Sequence, residues 1–221
     1  MSRPVVVLRP QPGNRATVRR LDAAGLTAIS LPLFEVRPID WTLPEVESYD
    51  ALLLTSANTL HFGGAKLAAL RGLPVLAVGA ATAEAAQHAG FGVVAVGEGG
   101  VEELLKSPAA RRFGKLLHLA GRDRAGGPQG AIAKTITVYA SEALAVDHDK
   151  LRRIEHSVVL LHSLRAASRL DALADIERAT VRLAAISGAV AEAAGGDWGQ
   201  RAIAQAPNDA ALVALAARLA D

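Results

Sequence analysis

The apolar positions of this chain fall in short unbroken runs separated by longer stretches with helical spacing. Val5–Leu8 is a four-residue aliphatic run bounded by Pro4 and Pro10. It is too short for a core helix and lacks the alternation of a half-solvated strand, so it predicts a strand buried on both faces. Arg15–Ala24 reads as a helix stopped by Gly25. Thr27–Val36 predicts a second strand, broken by Pro32, and Ala51–Leu54 a third. Thr55-Ser56-Ala57-Asn58 then offers capping side chains to a helix running toward Leu70. Val75–Val78 reads as a strand, Ala81–Ala89 as a helix ended by Gly90, Val93–Val96 as a strand and Val101–Leu105 as the start of a helix. Further strands are expected at Leu116–Leu119, Thr135–Ala140, Val158–Leu161, Arg182–Ile186 and Ala202–Ala204. Strands alternating with helices predict an α/β fold of parallel sheets covered on both faces.

The pattern also repeats. Ala77–Ala86 (AVGAATAEAA) and Ala185–Ala194 (AISGAVAEAA) share six of ten residues at an offset of 108, and Ala51–Asn58 (ALLLTSAN) matches Val158–Arg165 (VVLLHSLR) at an offset of 107. A period this long exceeds that of a solenoid repeat. It implies two copies of one small doubly wound domain, the second taking up the strands from Leu116 onward. Two such domains are expected to hold a ligand in the cleft between them.

A chain of 221 residues suits two domains of ordinary size. Hydrophobic residues make up 51% and aromatics only 4%, so the cores are built from small aliphatic side chains. The absence of cysteine excludes disulfides, thiolate metal sites and cysteine nucleophiles. The opening MSRPVVVLRP is too short an apolar run for a signal peptide, and no stretch approaches the roughly 20 apolar residues of a membrane span. A cytoplasmic protein without membrane contact is therefore expected. A net charge of +2 without a Lys/Arg block favours an anionic small molecule over nucleic acid.

In doubly wound sheets, ligands sit at the carboxyl ends of the strands, where loops enter helix N-termini. Here those turns are Thr55-Ser56, Gly79–Thr82, His162-Ser163 and Ser187-Gly188. Each is rich in hydroxyls and small residues, leaving backbone N–H groups open to anions. Singly, each hydroxyl reads as a helix cap; four turns paired by the duplication point to a shared anion site. The loop after the first strand is too proline-rich for a dinucleotide fingerprint, and no Walker A sequence occurs. Gly121–Pro128 is a polar turn in which Arg122 and Arg124 either meet carboxylates or form a solvated loop with Asp123. The six histidines show no metal-ligand spacing, and no metal or cofactor is expected; Arg15, Arg19 and Arg20 read as a solvated helix face.

Taken in order, these segments resemble uroporphyrinogen-III synthase. The matching features are an opening strand ending in Arg9, Leu21…Gly25…Pro32, Asp50-Ala-Leu-Leu-Leu-Thr55-Ser56-Ala-Asn, Val78-Gly79-Ala-Ala-Thr82-Ala83, Ile136-Thr-Val-Tyr139, His162-Ser163 and Ala185-Ile186-Ser187, spread from residue 5 to about 215. The resemblance implies that one domain is discontinuous, residues 1–36 with 146–221, and that 41–138 form the other. Linkers at 35–40 and 139–145 would form a two-stranded hinge, with the active site in the interdomain cleft. It further implies dehydration and cyclisation of hydroxymethylbilane, with inversion of ring D, to uroporphyrinogen III. That substrate is a polycarboxylate linear tetrapyrrole, expected by transient hand-over from hydroxymethylbilane synthase to a monomeric enzyme. Tyr139 matches the family tyrosine whose phenol would act on the departing hydroxyl. Arg9, Thr55, Ser56, Asn58, Thr82, Arg122, His162, Ser163, Ser187 and Gly188 would hold carboxylates. Two departures stand out: Val190 occupies a position where the family often has threonine, and residues 124–131 are Gly-rich where a longer helix is usual. The alternatives are a two-domain binding protein for an anionic molecule without chemistry and, less compatible with the missing nucleotide loop, a glycosyl or phosphoryl transferase.

Overall fold

The aliphatic runs fold as strands. In the computed structural model, which describes residues 2–98, 100–123, 130–173 and 175–221, the strands are β1 (Val5–Val7), β2 (Ala28–Ser30), β3 (Phe34–Pro38), β4 (Ala51–Leu54), β5 (Val75–Val78), β6 (Val93–Gly97), β7 (Leu116–Gly121), β8 (Ile132–Ala143), β9 (Val158–Leu161), β10 (Arg182–Ala185) and β11 (Gln200–Ile203). The helices are α1 (Gly13–Ala23), α2 (Asn58–Phe62), α3 (Ala80–His88), α4 (Val101–Lys106), α5 (His148–Arg152), α6 (Leu164–Leu173), α7 (Gly188–Glu192) and α8 (Asp209–Ala220). Two expected elements are split. Pro32 has no N–H to give a ladder, so Thr27–Val36 becomes β2 and β3, which lie in different sheets. The helix expected to reach Leu70 ends at Phe62, because Gly63 and Gly64 follow and Gly64 takes φ +73°; a 3-10 turn, Ala65–Leu70, completes the segment.

One sheet has the order β11-β10-β9-β1-β2 and the other β3-β8-β7-β4-β5-β6. All pairings of β1, β2 and β9–β11, and those among β4–β8, are parallel. The chain divides into two compact units, Met1–Glu35 with Glu142–Asp221, and Val36–Ser141. It passes between them within β3 and β8, which are neighbours. The bonds Leu144 N–H to Leu33 C=O and Ile39 N–H to Val138 C=O, each 3.0 Å, give that pair an antiparallel sense.

The internal repeat is visible in the registers. β4 and β5 pair Leu52 with Val75, and β9 and β10 pair Val159 with Leu183; these positions are related by the same two offsets, 107 and 108. The linear repeat does not extend to Leu116–Leu119. β7 lies beside β4 (Leu116 against Ala51) as β1 lies beside β9 (Val5 against Val158). Strands 116–119 and 135–140 thus complete the sheet of the first copy, which corrects their assignment to the second.

The interior strands of each sheet are buried on both faces, as their unbroken runs require, whereas the edge strand β6 leaves Val94 and Val96 exposed. On one face of the first sheet lie Val6, Val159, Leu161, Leu183 and Ala185; on the other, Val5, Val7, Val158, Leu160 and Ala184. The second sheet divides likewise, with Leu52, Leu54, Val75, Leu117 and Leu119 opposite Ala51, Leu53, Leu76 and Leu116. At about 1.5–3 kcal/mol for each buried Val or Leu, these residues dominate stability over exposed pairs such as Lys106–Glu102. Among the described residues no helix is long and apolar enough to cross a membrane.

Candidate functional site

The carboxyl ends of β1 and β9 carry Arg9 and His162, and the structure draws both to one carboxylate. Asp209, the first residue of α8, accepts hydrogen bonds from Thr17 Oγ1 at 2.7 Å and His162 Nε2 at 2.7 Å. Arg9 Nη1 lies 3.4 Å from the same oxygen, and Arg20 bonds the other. Arg20 keeps the solvated helix position its spacing suggests, with its side chain 52% exposed, and pairs with Asp209 from there. Arg9 also stacks over Gly13, where a Cβ would stand 2.5 Å from the guanidinium. Asn14 ties the strand end down, donating to the Val7 and Arg9 carbonyls at 3.0 Å while accepting from Ser30 Oγ at 2.7 Å.

The electrostatics follow from burial. The His162 side chain is 8% exposed; desolvation pushes its pKa below the usual imidazole range against the pull of the Asp209 bond, and the Arg9 charge adds to the fall. The neutral ring must carry its proton on Nε2 to donate to Asp209, and the buried Nδ1 has no hydrogen-bond partner among the described residues. Burial alone would raise the Asp209 pKa. The hydrogen bonds from His162 and Thr17 outweigh it and hold the carboxyl well below the usual carboxylate range.

Beside these charged groups, the hydroxyl turns serve helix ends. Ser163 Oγ accepts the Ala166 N–H at 3.2 Å, and Ser187 caps α7 by accepting the Val190 N–H at 3.4 Å, with Gly188 as the first helical residue. In the other unit Ser56 Oγ accepts the Asn58 N–H at 3.2 Å. Thr55 Oγ1 lies 3.3 Å from Nε2 of the buried His118, whose Nδ1 is 3.5 Å from Thr135 Oγ1. Thr82 is buried in the first turn of α3. Val190, its counterpart 108 residues on, is buried too, so this position accepts a methyl in place of a hydroxyl.

Tyr139 lies on β8 in register with Gly121 at the end of β7. A Cβ at Gly121 would fall 2.6 Å from the tyrosine ring, so only glycine lets the half-buried ring lie across the strand. The ring also meets Phe62, with centroids 6.4 Å apart and the planes tilted by 40°. Its carbonyl accepts the Arg122 N–H at 2.9 Å. Arg124 lies outside the described residues. Within residues 36–141 the structure thus places Thr55, Ser56 and Asn58 after β4 and Arg122 after β7, with Tyr139 on the adjacent β8 opposite the last residue of β7. In the other unit it gathers Arg9, His162 and Ser163, with Ser187 and Gly188 after β10. Sequence reading missed Asp209, Thr17, Arg20 and His118; the one available signal was Asn208-Asp209 opening a helix, which marks a cap and not a charge cluster. Among the described residues no group of three or more His, Cys, Asp or Glu is placed to hold a metal ion.

Comparison with known proteins bears on this arrangement. A family model described as uroporphyrinogen-III synthase HemD matches residues 15–214. A uroporphyrinogen-III synthase from Chlorobaculum parvum is 32% identical over 59 residues, a match spanning 26% of this chain and 24% of the relative's length. Among solved structures, uroporphyrinogen-III synthetase from Helicobacter pylori superposes with a TM-score of 0.70 at 19% identity, covering 98% of this chain and 99% of that one. A mutant uroporphyrinogen III synthase from Thermus thermophilus gives 0.52 at 16% identity, covering 97% and 98%. At these identities the two structures speak for the fold.

Proposed function

The chain belongs to the uroporphyrinogen-III synthase family, and from that premise we propose that it is a cyclising lyase converting hydroxymethylbilane to uroporphyrinogen III in haem biosynthesis. The family match over residues 15–214 carries this reading. The substrate closes unaided to a different isomer, so the enzyme's task is to hold geometry. Carboxylates are taken up by Arg9 and Arg122 and by backbone N–H groups in the turns at Thr55-Ser56-Asn58, Thr82, His162-Ser163 and Ser187-Gly188. The C–O bond of the hydroxymethyl group breaks as the Tyr139 phenol lends its proton to the leaving oxygen. The pyrrole nitrogen of the same ring releases its proton, which restores the phenol, so the net loss is one water. The ring D carbon that carries its bridge bonds to the exposed methylene, giving a spiro intermediate. The old bridge bond to ring D breaks and re-forms at the other α-carbon of ring D, which inverts the ring. The proton lost from that carbon balances the one regained by the first ring's nitrogen. Support for Tyr139 is its position: it pairs with the last residue of β7, held by Gly121 and Phe62. Among the described residues its hydroxyl has no hydrogen-bond partner that would compete with a substrate. A cytoplasmic monomer receiving its short-lived substrate by transient hand-over completes the reading.

Tyr139→Phe tests the chemical role. The expected result is a fall in kcat of roughly 10²-fold, the scale of general acid catalysis, with KM within a factor of about two. Equal loss in both parameters, or none, contradicts a proton-donating phenol.

A further inference from the structure

A groove of about 390 Å³ opens within residues 36–141 beside the tyrosine, lined by Pro38, Ile39, Trp41, Phe62, Gly63 and Lys66 among others. Its floor is fixed: the Trp41 indole is buried and donates from Nε1 to the Gly63 carbonyl at 2.8 Å. Its cation is not. Lys66 Nζ, 6.0 Å from the Trp41 ring centroid, donates to the Trp41 carbonyl and to Asp40 Oδ1 at 2.6 Å, but Asp40 is 94% exposed and Lys66 45%. An ion pair so exposed holds little free energy, so the ammonium can exchange Asp40 for a ligand carboxylate at small cost. Phe62 belongs both to the groove and to the Tyr139 contact, which sets a ring bound there one aromatic side chain away from the phenol.

We propose that this groove is a subsite for one pyrrole ring of the substrate, its ring packed on Phe62 above the Trp41 floor and its acidic side chain on Lys66 Nζ. The ligand class follows from the walls: an apolar, aromatic-lined slot of single-ring size with one exchangeable cation at its rim fits a small aromatic acid. The assignment to a pyrrole rests on the proposed cyclase activity. Asp40 then acts as a stand-in for the substrate carboxylate, occupying Lys66 while the groove is empty.

Opposite substitutions test this. Lys66→Gln removes a charge-assisted bond and is expected to raise KM roughly tenfold, whereas Asp40→Asn removes the competitor and is expected to lower KM. A purely structural pair would give the two variants effects of the same sign or none, and either result overturns the proposal. A binding readout separates it from the cyclase reading. The chain has two tryptophans, Trp41 and Trp198, whose ¹⁵N indole signals can be assigned with Trp198→Phe. A monopyrrole bearing one acetate and one propionate should shift the Trp41 signal alone, and this shift should vanish in Lys66→Gln and with the diester of the same pyrrole. A Trp41 signal unmoved by the diacid, or moved equally in Lys66→Gln, contradicts the subsite even if the enzyme makes uroporphyrinogen III. A Lys66-dependent shift supports the subsite even if the protein makes none.

Discussion

Asp209 collects donors that the chain keeps far apart: Thr17 lies 192 residues away and His162 47. The carboxylate and the imidazole are both held away from their ordinary titration ranges, in the same direction for stability. His162 is depressed below 6.5 in the folded protein, so as pH falls through about 6.5 the unfolded chain takes up a proton first and stability declines. Above that value the contribution is complete. His162→Gln keeps an N–H donor for Asp209 but cannot titrate. Thermal unfolding of the wild type should therefore lose more Tm between neutral pH and about pH 5.5 than that of the variant; parallel slopes would contradict the burial argument. At this scale Arg9 and His162 were legible because each follows an aliphatic strand. Asp209, Thr17 and Arg20 were not, since the pairing depends on α1 and α8 lying side by side, which no local pattern encodes.

Between elements, the close approach of β7 and β8 decides where the phenol goes. Gly121 is one of 20 glycines, and nothing in its neighbours marks it; the need for it exists only once Tyr139 is laid across it. Gly121→Ala should displace the ring at a cost of roughly 1–3 kcal/mol from overpacking and reduce kcat in the same sense as Tyr139→Phe while the substrate carboxylate contacts stay intact. A Gly121→Ala enzyme with wild-type kcat would show that the ring position does not matter. Strand existence was readable from the sequence: β4, β5 and β9 have the expected limits, because an aliphatic run bounded by turn residues has few other ways to be buried. The interruptions at Pro32 and Gly63-Gly64 were less so. Pro32 was visible as a break, but not that the two pieces serve different sheets; that depends on β3 finding β8, far along the chain.

For the whole molecule, duplication was the clearest message of the sequence, and the registers of β4–β5 and β9–β10 repeat it to the residue. The linear reading failed at the third pairing because one copy is completed by strands that follow it and the other by strands at the start of the chain. This arrangement has a consequence for folding. Val36–Ser141 contains all of β4–β7 and most of β8 without a break, so as a fragment it should unfold cooperatively. Glu142–Asp221 lacks β1, an interior strand of its sheet whose three valines are fully buried, and should remain unfolded until residues 1–35 are added. Cooperative unfolding of the 142–221 fragment alone would contradict this assignment of cores.

Product identity tests the cyclase activity itself. Hydroxymethylbilane generated in place is treated with the purified protein, and the oxidised porphyrins are separated by isomer. Predominantly isomer III is expected, falling toward the uncatalysed isomer I in Tyr139→Phe. Isomer I alone from the wild-type protein, at the level of the protein-free control, would contradict that activity.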